Sequence, residues 1–384
     1  MNIQQATRLG SVKEYYFSKK LREVAGLIQS GRPILNMGIG SPDLPPHPSI
    51  VDALTAGLTH PKAHMYQSYQ GLPTLREAMT KFYHLHYGVD LNPSTEVLPL
   101  MGSKEGIMHI SMAFLNKGDQ VLIPNPGYPT YQSVTRLVEA EPVFYTLSEG
   151  NQWQPDFNAL KQLDTSKIKL MWINYPHMPT GASGQFETFE RLIQWAKKNS
   201  VLLVNDNPYS FILNTTPQSL LGVAGAKDVA LELNSLSKSF NMAGWRVGML
   251  AGNPQHIQAV LKVKSNMDSG MFYGIQQGAI AALSAPQSWF DNLNSTYHTR
   301  RKLIEELATA MNTTFDTNSV GMFVWAKLND SNISEEEFID QILYQKDIFI
   351  TPGTIFGSQG KGYIRFSLCV PEEQIKTAIK RILA

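Results

Sequence analysis

A lysine among small and hydroxyl residues is the first group in this sequence that could do chemistry. The stretch 235–248 reads SLSKSFNMAGWRVG, so three serines surround Lys238 and Arg246 follows eight positions later. Crowding removes water from the amine and a nearby cation repels its charge, and both effects favour the neutral form. A neutral amine can attack a carbonyl carbon and form a Schiff base. The stretch alone leaves two interpretations open: such a nucleophile, or an ordinary surface lysine after a strand.

A second candidate is the turn 101–106, MGSKEG, which falls between a predicted strand and a predicted helix. Backbone N–H groups, the Ser103 hydroxyl and the start of the helix would together bind an anion such as phosphate. The alternative is a capped turn without a ligand.

Three further residues follow or interrupt apolar runs. Asp206 ends the run 201–204, where a carboxylate is costly unless it meets a cation such as a protonated pyridine nitrogen. Arg365 lies in the apolar run 363–368, and its guanidinium is well shaped for a carboxylate. Tyr128, in the segment NPGYPTY, follows another run and could stack on a flat ligand. The turn-rich segment 174–181, NYPHMPTG, also follows a strand.

Short apolar runs that alternate with helical stretches are expected to position these residues. The runs are 97–101, 120–124, 142–147, 168–174, 201–205, 229–236 and 247–251, and the helical stretches between them include 104–116, 187–199 and 254–267. This alternation is typical of a mostly parallel sheet with helices on both faces, whose ligands lie at the carboxyl ends of the strands.

The pattern changes after about residue 285, where long helices and a few strands indicate a smaller α+β unit. We therefore predict an α/β protein with a large domain at 48–285 and a small domain made of 1–47 and 286–384.

Composition excludes several classes of protein. The chain has 384 residues, 33 Lys and Arg against 32 Asp and Glu, and a formal charge of +1, which predicts no nucleic-acid or membrane partner. The single cysteine, Cys369, rules out an internal disulfide and is typical of a reducing compartment. We see no signal peptide or membrane span, so we predict a cytoplasmic protein that acts on small molecules, and we predict no metal site.

Taken together and in order along the chain, these motifs resemble the class I/II aminotransferases, a fold-type-I family that uses pyridoxal 5'-phosphate. The resemblance covers nearly the whole chain and implies that Lys238 carries the cofactor as a Schiff base. It implies phosphate contacts from two motifs, the lysine stretch and the 101–106 turn, through Ser235, Arg246, Gly102, Ser103 and Lys104.

The same resemblance implies roles for five other residues. Asp206 would pair with the ring nitrogen, Tyr209 with the phenolic oxygen, and Tyr128 would stack on the ring. Tyr66, ahead of Gly71 and Leu75-Arg76, would reach the phosphate of a partner subunit, which implies a homodimer. Arg365 would bind the substrate α-carboxylate.

One position departs from the family pattern. The family has N-P-T-G where this chain has Met178-Pro179-Thr180-Gly181, and the family's asparagine donates to the phenolic oxygen. Methionine cannot donate, so this oxygen would rely on Tyr209, with Asn174 or His177 as substitutes. A lost donor to an anionic oxygen costs about 1.5–3 kcal/mol, which would tune the cofactor rather than abolish its binding.

The predicted reaction is a ping-pong transfer of an amino group from an L-amino acid to a 2-oxo acid, with Lys238 moving the proton. Residues 264–272 resemble the LL-diaminopimelate aminotransferase subgroup. However, we identify no second arginine for a distal carboxylate. Tyr15, Phe17 and Ile39 near the entrance favour a neutral or aromatic substrate, and we expect Ile39 and Gly40 to contact it. Two alternatives remain: a β-elimination carbon-sulfur lyase on the same scaffold, and a non-catalytic regulatory module that binds the cofactor.

Overall fold

The computed structural model describes residues 3–11 and 16–384. The helices of this part of the chain are α1 Tyr16–Gln29, α2 Pro48–Gly57, α3 Pro73–Tyr87, α4 Ser103–Phe114, α5 Pro129–Leu137, α6 Phe157–Gln162, α7 Phe186–Asn199, α8 Leu236–Ser239, α9 Pro254–Lys264, α10 Tyr273–Leu283, α11 Gln287–Ala310, α12 Glu335–Lys346 and α13 Glu372–Leu383. The strands are β1 Leu35–Asn36, β2 Val97–Leu100, β3 Gln120–Asn125, β4 Glu141–Thr146, β5 Ile168–Ile173, β6 Leu202–Asp206, β7 Ala230–Ser235, β8 Gly248–Gly252, β9 Thr313–Phe315, β10 Phe323–Leu328, β11 Ile348–Phe349, β12 Thr351–Pro352 and β13 Tyr363–Ser367.

Seven strands form the large sheet in the order β2-β8-β7-β6-β5-β3-β4. Strand β8 runs antiparallel to β2 and β7, and the other neighbours pair in parallel. The prediction of a mostly parallel sheet is confirmed. Residues 236–247 connect β7 to β8 and contain only short helical turns, so no long helix crosses the sheet between these two antiparallel neighbours.

Helices cover both faces of this sheet. Side chains of α3, α7 and α10 pack on one face, and those of α4, α5 and α9 pack on the other. Strand β5 shows how the sequence serves both faces, because Met171 and Ile173 point to the first cluster and Leu170 and Trp172 to the second. Burial on both sides explains why the strands read as continuous apolar runs.

A smaller antiparallel sheet, β12-β13-β10-β9, follows in the second half of the chain. Its core contains side chains of α11, α12 and α13, and Met37 from the N-terminal segment joins it. Strand β1 pairs in parallel with β11. These contacts support the division into 48–285 and 1–47 with 286–384, which we retain as a proposal. No helix in the described ranges is long and apolar enough to cross a membrane.

Candidate active site

A cavity of about 530 Å³ lies where the carboxyl ends of β5, β6 and β7 meet the smaller sheet. Most of the residues singled out in the sequence line it, namely Gly40, Ser103, Lys104, Tyr128, Asn174, Asp206, Tyr209, Ser235, Lys238, Arg246 and Arg365. Residues more than 300 positions apart in the sequence therefore share one volume, at the edge of the sheet where parallel strands place ligands.

One end of the cavity is built to hold an anion. Helix α4 begins at Ser103 with its N-terminus in the cavity lining, and Arg246 brings a guanidinium to the same place. Gly102 has a φ of +93°, and a Cβ there would lie 2.1 Å from Nη2 of Arg246. Only glycine allows this approach. Ser235 caps the single turn α8, where its hydroxyl accepts from the N–H of Ser237 at 3.2 Å.

Lys238 stands at the centre of the cavity. Its ammonium donates to the backbone carbonyl of Gly40 at 2.5 Å. Burial lowers the pKa of Lys238, and the charges of Arg365 and Arg246 act in the same direction. A lysine in these surroundings releases its proton more readily than a surface lysine and can act as a nucleophile or a base.

Asp206 ends β6 with its carboxylate in the cavity wall. Its Oδ2 accepts from the hydroxyl of Tyr131 at 2.8 Å, whereas Oδ1 is buried and has no hydrogen-bond partner in the structure. Burial raises the pKa of Asp206 to about 6, although the Tyr131 hydrogen bond acts in the opposite direction. A buried carboxylate oxygen without a partner is costly. The site therefore favours a cationic donor opposite Asp206.

Arg365, on β13, brings a further guanidinium to the cavity lining. Its Nη2 donates to the carbonyl of Gly38 at 2.7 Å, and its Nη1 lies 3.4 Å from Sδ of Met178. The guanidinium carbon sits 4.0 Å from the ring centroid of Phe323 and 4.7 Å from that of Phe356. These rings fix the guanidinium in an apolar setting, where a carboxylate is bound more strongly than in water.

The polar side chains of the segment after β5 bond within the segment and to the end of β6. The Asn174 amide donates to the backbone carbonyl of Asp206, and its Oδ1 accepts from the N–H of Met178 at 2.9 Å. The His177 ring bonds to Thr180 at 2.8 Å, and burial lowers its pKa to about 3. Nε2 of His177 is buried without a hydrogen-bond partner, but His177 does not line the cavity, whereas Asn174 and Tyr209 line it together with Met178.

Three predicted contacts lie outside the lining of this cavity. Gly102 precedes the first residue of α4, Ile39 is 36% exposed, and Tyr66 is 91% exposed and borders a different hollow. Tyr15 and the side chain of Phe17 lie outside the described part of the chain.

Several residues of the site were missed. Tyr131 holds Asp206 and stacks on Trp172, with ring centroids 5.0 Å apart. Tyr128 immediately precedes α5 and Tyr131 lies on its first turn, so the spacing of three between the two tyrosines is the signal in the sequence. Phe323, Ile355 and Phe356 line the cavity beside Arg365 but carry no sequence signal of their own.

Comparison with known proteins agrees with this geometry. The family model for aminotransferase class I and II matches residues 32–382. An LL-diaminopimelate aminotransferase of Aquifex aeolicus is 38% identical over 98% of this chain and 97% of its own length. One from Dehalococcoides mccartyi strain BAV1 is 40% identical over 99% of this chain and 98% of its own length.

Among solved structures, apo-BacF from Bacillus subtilis superposes with a TM-score of 0.95 at 35% identity and covers 100% of this chain and 98% of its own. A match that spans nearly the whole chain, with the fold and the cavity described above, leads to one conclusion. The chain belongs to the class I and II aminotransferases, enzymes that use pyridoxal 5'-phosphate.

Proposed function

We propose that this aminotransferase takes its amino group from a neutral or aromatic L-amino acid. The observation that carries the proposal is the apolar wall beside Arg365, formed by Phe323, Ile355 and Phe356. Among the described lining residues, the charged side chains are Lys104, Asp206, Lys238, Arg246 and Arg365. The proposed cofactor and α-carboxylate contacts use all five, which leaves none for a distal charge.

The residues of the cavity fit pyridoxal 5'-phosphate. The anion-binding end, with Ser103, Ser235 and Arg246, suits its phosphate, and the unpartnered Oδ1 of Asp206 suits the protonated ring nitrogen. Tyr128 lines the cavity and presents a ring on which the cofactor ring can stack. The bound cofactor draws electrons from the substrate α-carbon, which makes the α-proton acidic.

The side chains of this protein then have separate tasks. Arg365 binds the α-carboxylate and so orients the α-carbon. Lys238 would anchor the cofactor, and its amine, once free, would accept the α-proton of the substrate and move it. The carbonyl of Gly40 fixes the direction of the lysine side chain. Asp206 remains ionised in the loaded enzyme because it faces a cation.

We further propose a homodimer in which Tyr66 reaches the cofactor site of the second copy. Tyr66 is 91% exposed and stands beside two other exposed apolar side chains, Met65 and Phe272. Contiguous apolar exposure of this kind is typical of a surface that a partner covers. A cytoplasmic location is also proposed, on the absence of any second cysteine for Cys369 to pair with.

LL-diaminopimelate is a second candidate substrate, because relatives 38–40% identical over the whole chain carry that activity in their names. This substrate has a distal amino-carboxylate group, which would require charged partners beyond Arg365. A β-elimination lyase is the remaining alternative, since the same residues would hold the cofactor.

A panel of half-reactions separates these candidates. The loaded enzyme is mixed with single amino acids without an acceptor, and the rate of the cofactor's spectral change is recorded. The proposal expects phenylalanine, tyrosine, leucine and methionine to react faster than aspartate, glutamate and LL-diaminopimelate. The reverse order would reject the neutral preference. Release of pyruvate and ammonia from cystathionine without a 2-oxo acid would indicate the lyase instead.

A further inference from the structure

A buried ionic cluster lies behind the anion-binding turn and outside the cavity lining. Helix α4 supplies Glu105 and His109, and the end of α9 and the loop that follows supply Lys264 and Asp268. The side chains of Lys264, Asp268 and His109 are 3%, 4% and 2% exposed. Buried charges persist only where they are well paired, so this cluster needs a structural explanation.

One end of the cluster holds the anion-binding turn. Glu105 accepts from the backbone N–H of Met101 at 2.8 Å, one residue before the glycine that makes room for Arg246. The other carboxylate oxygen of Glu105 lies 3.2 Å from Nε2 of His109. The position of the turn therefore depends on where this carboxylate is fixed.

The other end holds the loop 265–272. Both carboxylate oxygens of Asp268 lie 2.9 Å from the Lys264 ammonium, and Oδ1 also accepts from the N–H of Gly270 at 2.8 Å. Gly270 has a φ of +87°, and a Cβ there would lie 2.4 Å from the carbonyl oxygen of Gln67. The loop is thus pressed against the backbone that immediately follows Tyr66.

The cluster also brings together groups that could ligate a metal ion. Glu105, His109 and Asp268 bring potential ligand atoms within 4.8 Å of one another. The Lys264 ammonium lies 2.9 Å from both oxygens of Asp268 and balances its charge, but Oδ2 of Asp268 and both ring nitrogens of His109 are buried without a hydrogen-bond partner.

We propose that Lys264 and Asp268 are positioning residues that hold the exposed Tyr66 segment in register with the phosphate-binding turn of the same subunit. This inference rests on the proposed role of Tyr66 at the site of a second copy. In a symmetric dimer, the phosphate-binding turn of each subunit would be completed by Tyr66 of the other subunit. A rigid link between the turn and Tyr66 within one subunit would therefore fix the geometry of both sites.

A double-mutant cycle tests the link. Asp268→Asn keeps an acceptor for Gly270 but leaves the Lys264 charge without its partner. Affinity for pyridoxal 5'-phosphate is measured by absorbance titration for the wild type, Asp268→Asn, Tyr66→Phe and the double variant. We expect each single change to weaken binding, and the effect of Tyr66→Phe to shrink about fivefold or more in the Asp268→Asn background, as for directly coupled groups.

A second variant controls for the possibility that Asp268→Asn acts by misfolding the protein. Lys264→Met with Asp268→Leu removes both charges at similar volume, a replacement that buried pairs often tolerate. If this protein melts like the wild type, it should still show the reduced Tyr66→Phe effect. The control is Asp228→Asn, which breaks an exposed Lys197–Asp228 pair of 2.8 Å and should change neither affinity nor coupling.

The outcomes separate the two proposals. Two outcomes overturn the positioning role and leave the dimer proposal intact. One is that the affinity losses of Asp268→Asn and Tyr66→Phe simply multiply in the double variant. The other is that Tyr66→Phe has its full effect in the variant without the Lys264 and Asp268 charges. An unchanged affinity in Tyr66→Phe alone overturns the role of Tyr66, and the inference falls with it. The positioning role is supported if Tyr66→Phe has a smaller effect in the Asp268→Asn background and Asp228→Asn changes neither affinity nor coupling.

Discussion

Replacement of Asp206 by asparagine should stabilise the cofactor-free protein and weaken cofactor binding. The two effects have one cause, a buried carboxylate with an unpartnered oxygen, Oδ1. Asparagine has nearly the same shape, and its oxygen can still accept from the Tyr131 hydroxyl. The change therefore removes the charge while leaving the packing in place.

The size and sign of the effect follow from the pKa of Asp206. Burial raises it from 3.8 to about 6, a shift of about two units, and one unit corresponds to about 1.36 kcal/mol. The pKa of Asp206 is higher in the folded protein than in the unfolded chain, so ionisation of this carboxyl destabilises the fold. The loss of stability is absent below pH 3.8, grows between pH 3.8 and about 6, and is complete above that pH. The cofactor-free wild type should thus be less stable than Asp206→Asn by up to about 3 kcal/mol at pH 8, with little difference at pH 4.

Urea unfolding of both cofactor-free proteins at several pH values measures this difference. In the same proteins, pyridoxal 5'-phosphate should bind about 10- to 100-fold more weakly to the variant, because hydrogen bonds to charged groups contribute about 1.5–3 kcal/mol. Equal stability of the two proteins at pH 8, or equal cofactor affinity, would refute the assignment of Asp206.

Glu232→Gln is the matched control. Glu232 is also buried, but its carboxylate accepts from Tyr83, Asn205, Ser219 and the N–H of Leu220. An amide group would face two of these donors without accepting from them, so this variant should lose stability. Its cofactor affinity should stay unchanged, since Glu232 is not in the cavity lining.

Two further substitutions test the substrate side. Arg365→Lys removes the bidentate geometry of the guanidinium and its stacking on Phe323 and Phe356. The KM for amino acids should rise by about 10-fold or more, whereas the affinity for the cofactor should stay the same. An unchanged KM would contradict the role of Arg365 in carboxylate binding. Met178→Asn supplies a new hydrogen-bond donor beside Tyr209. The variant should bind the cofactor more tightly, and the pH-dependent absorbance change of the loaded enzyme should move to lower pH. Titrations that coincide with those of the wild type would show that residue 178 does not reach the phenolic oxygen.

Some parts of the site are visible in the sequence because they break a local rule. Asp206 and Arg365 are charged residues in apolar runs, and Lys238 stands among serines with an arginine nearby. Each is costly in isolation, which makes it detectable without any knowledge of its neighbours.

Other parts depend on contacts that no single segment shows. Phe323 and Phe356 look like ordinary core residues until the fold brings them over Arg365. The carbonyl of Gly40, which accepts from Lys238, is a backbone atom without a side-chain signature. The spacing of four between Lys264 and Asp268 is readable, but their burial is not. The reversed direction of β8 could not be read from its apolar pattern, because buried strands look alike in either direction.

Lys238 is the residue that we expect to bind the cofactor covalently. The loaded enzyme is reduced with borohydride, digested, and analysed by mass spectrometry for the lysine that carries the pyridoxyl group. We expect the label on Lys238. In Lys238→Ala, the label, the visible absorbance and nearly all amino transfer should be lost. A label on Lys104 instead, or normal turnover in Lys238→Ala, would contradict it.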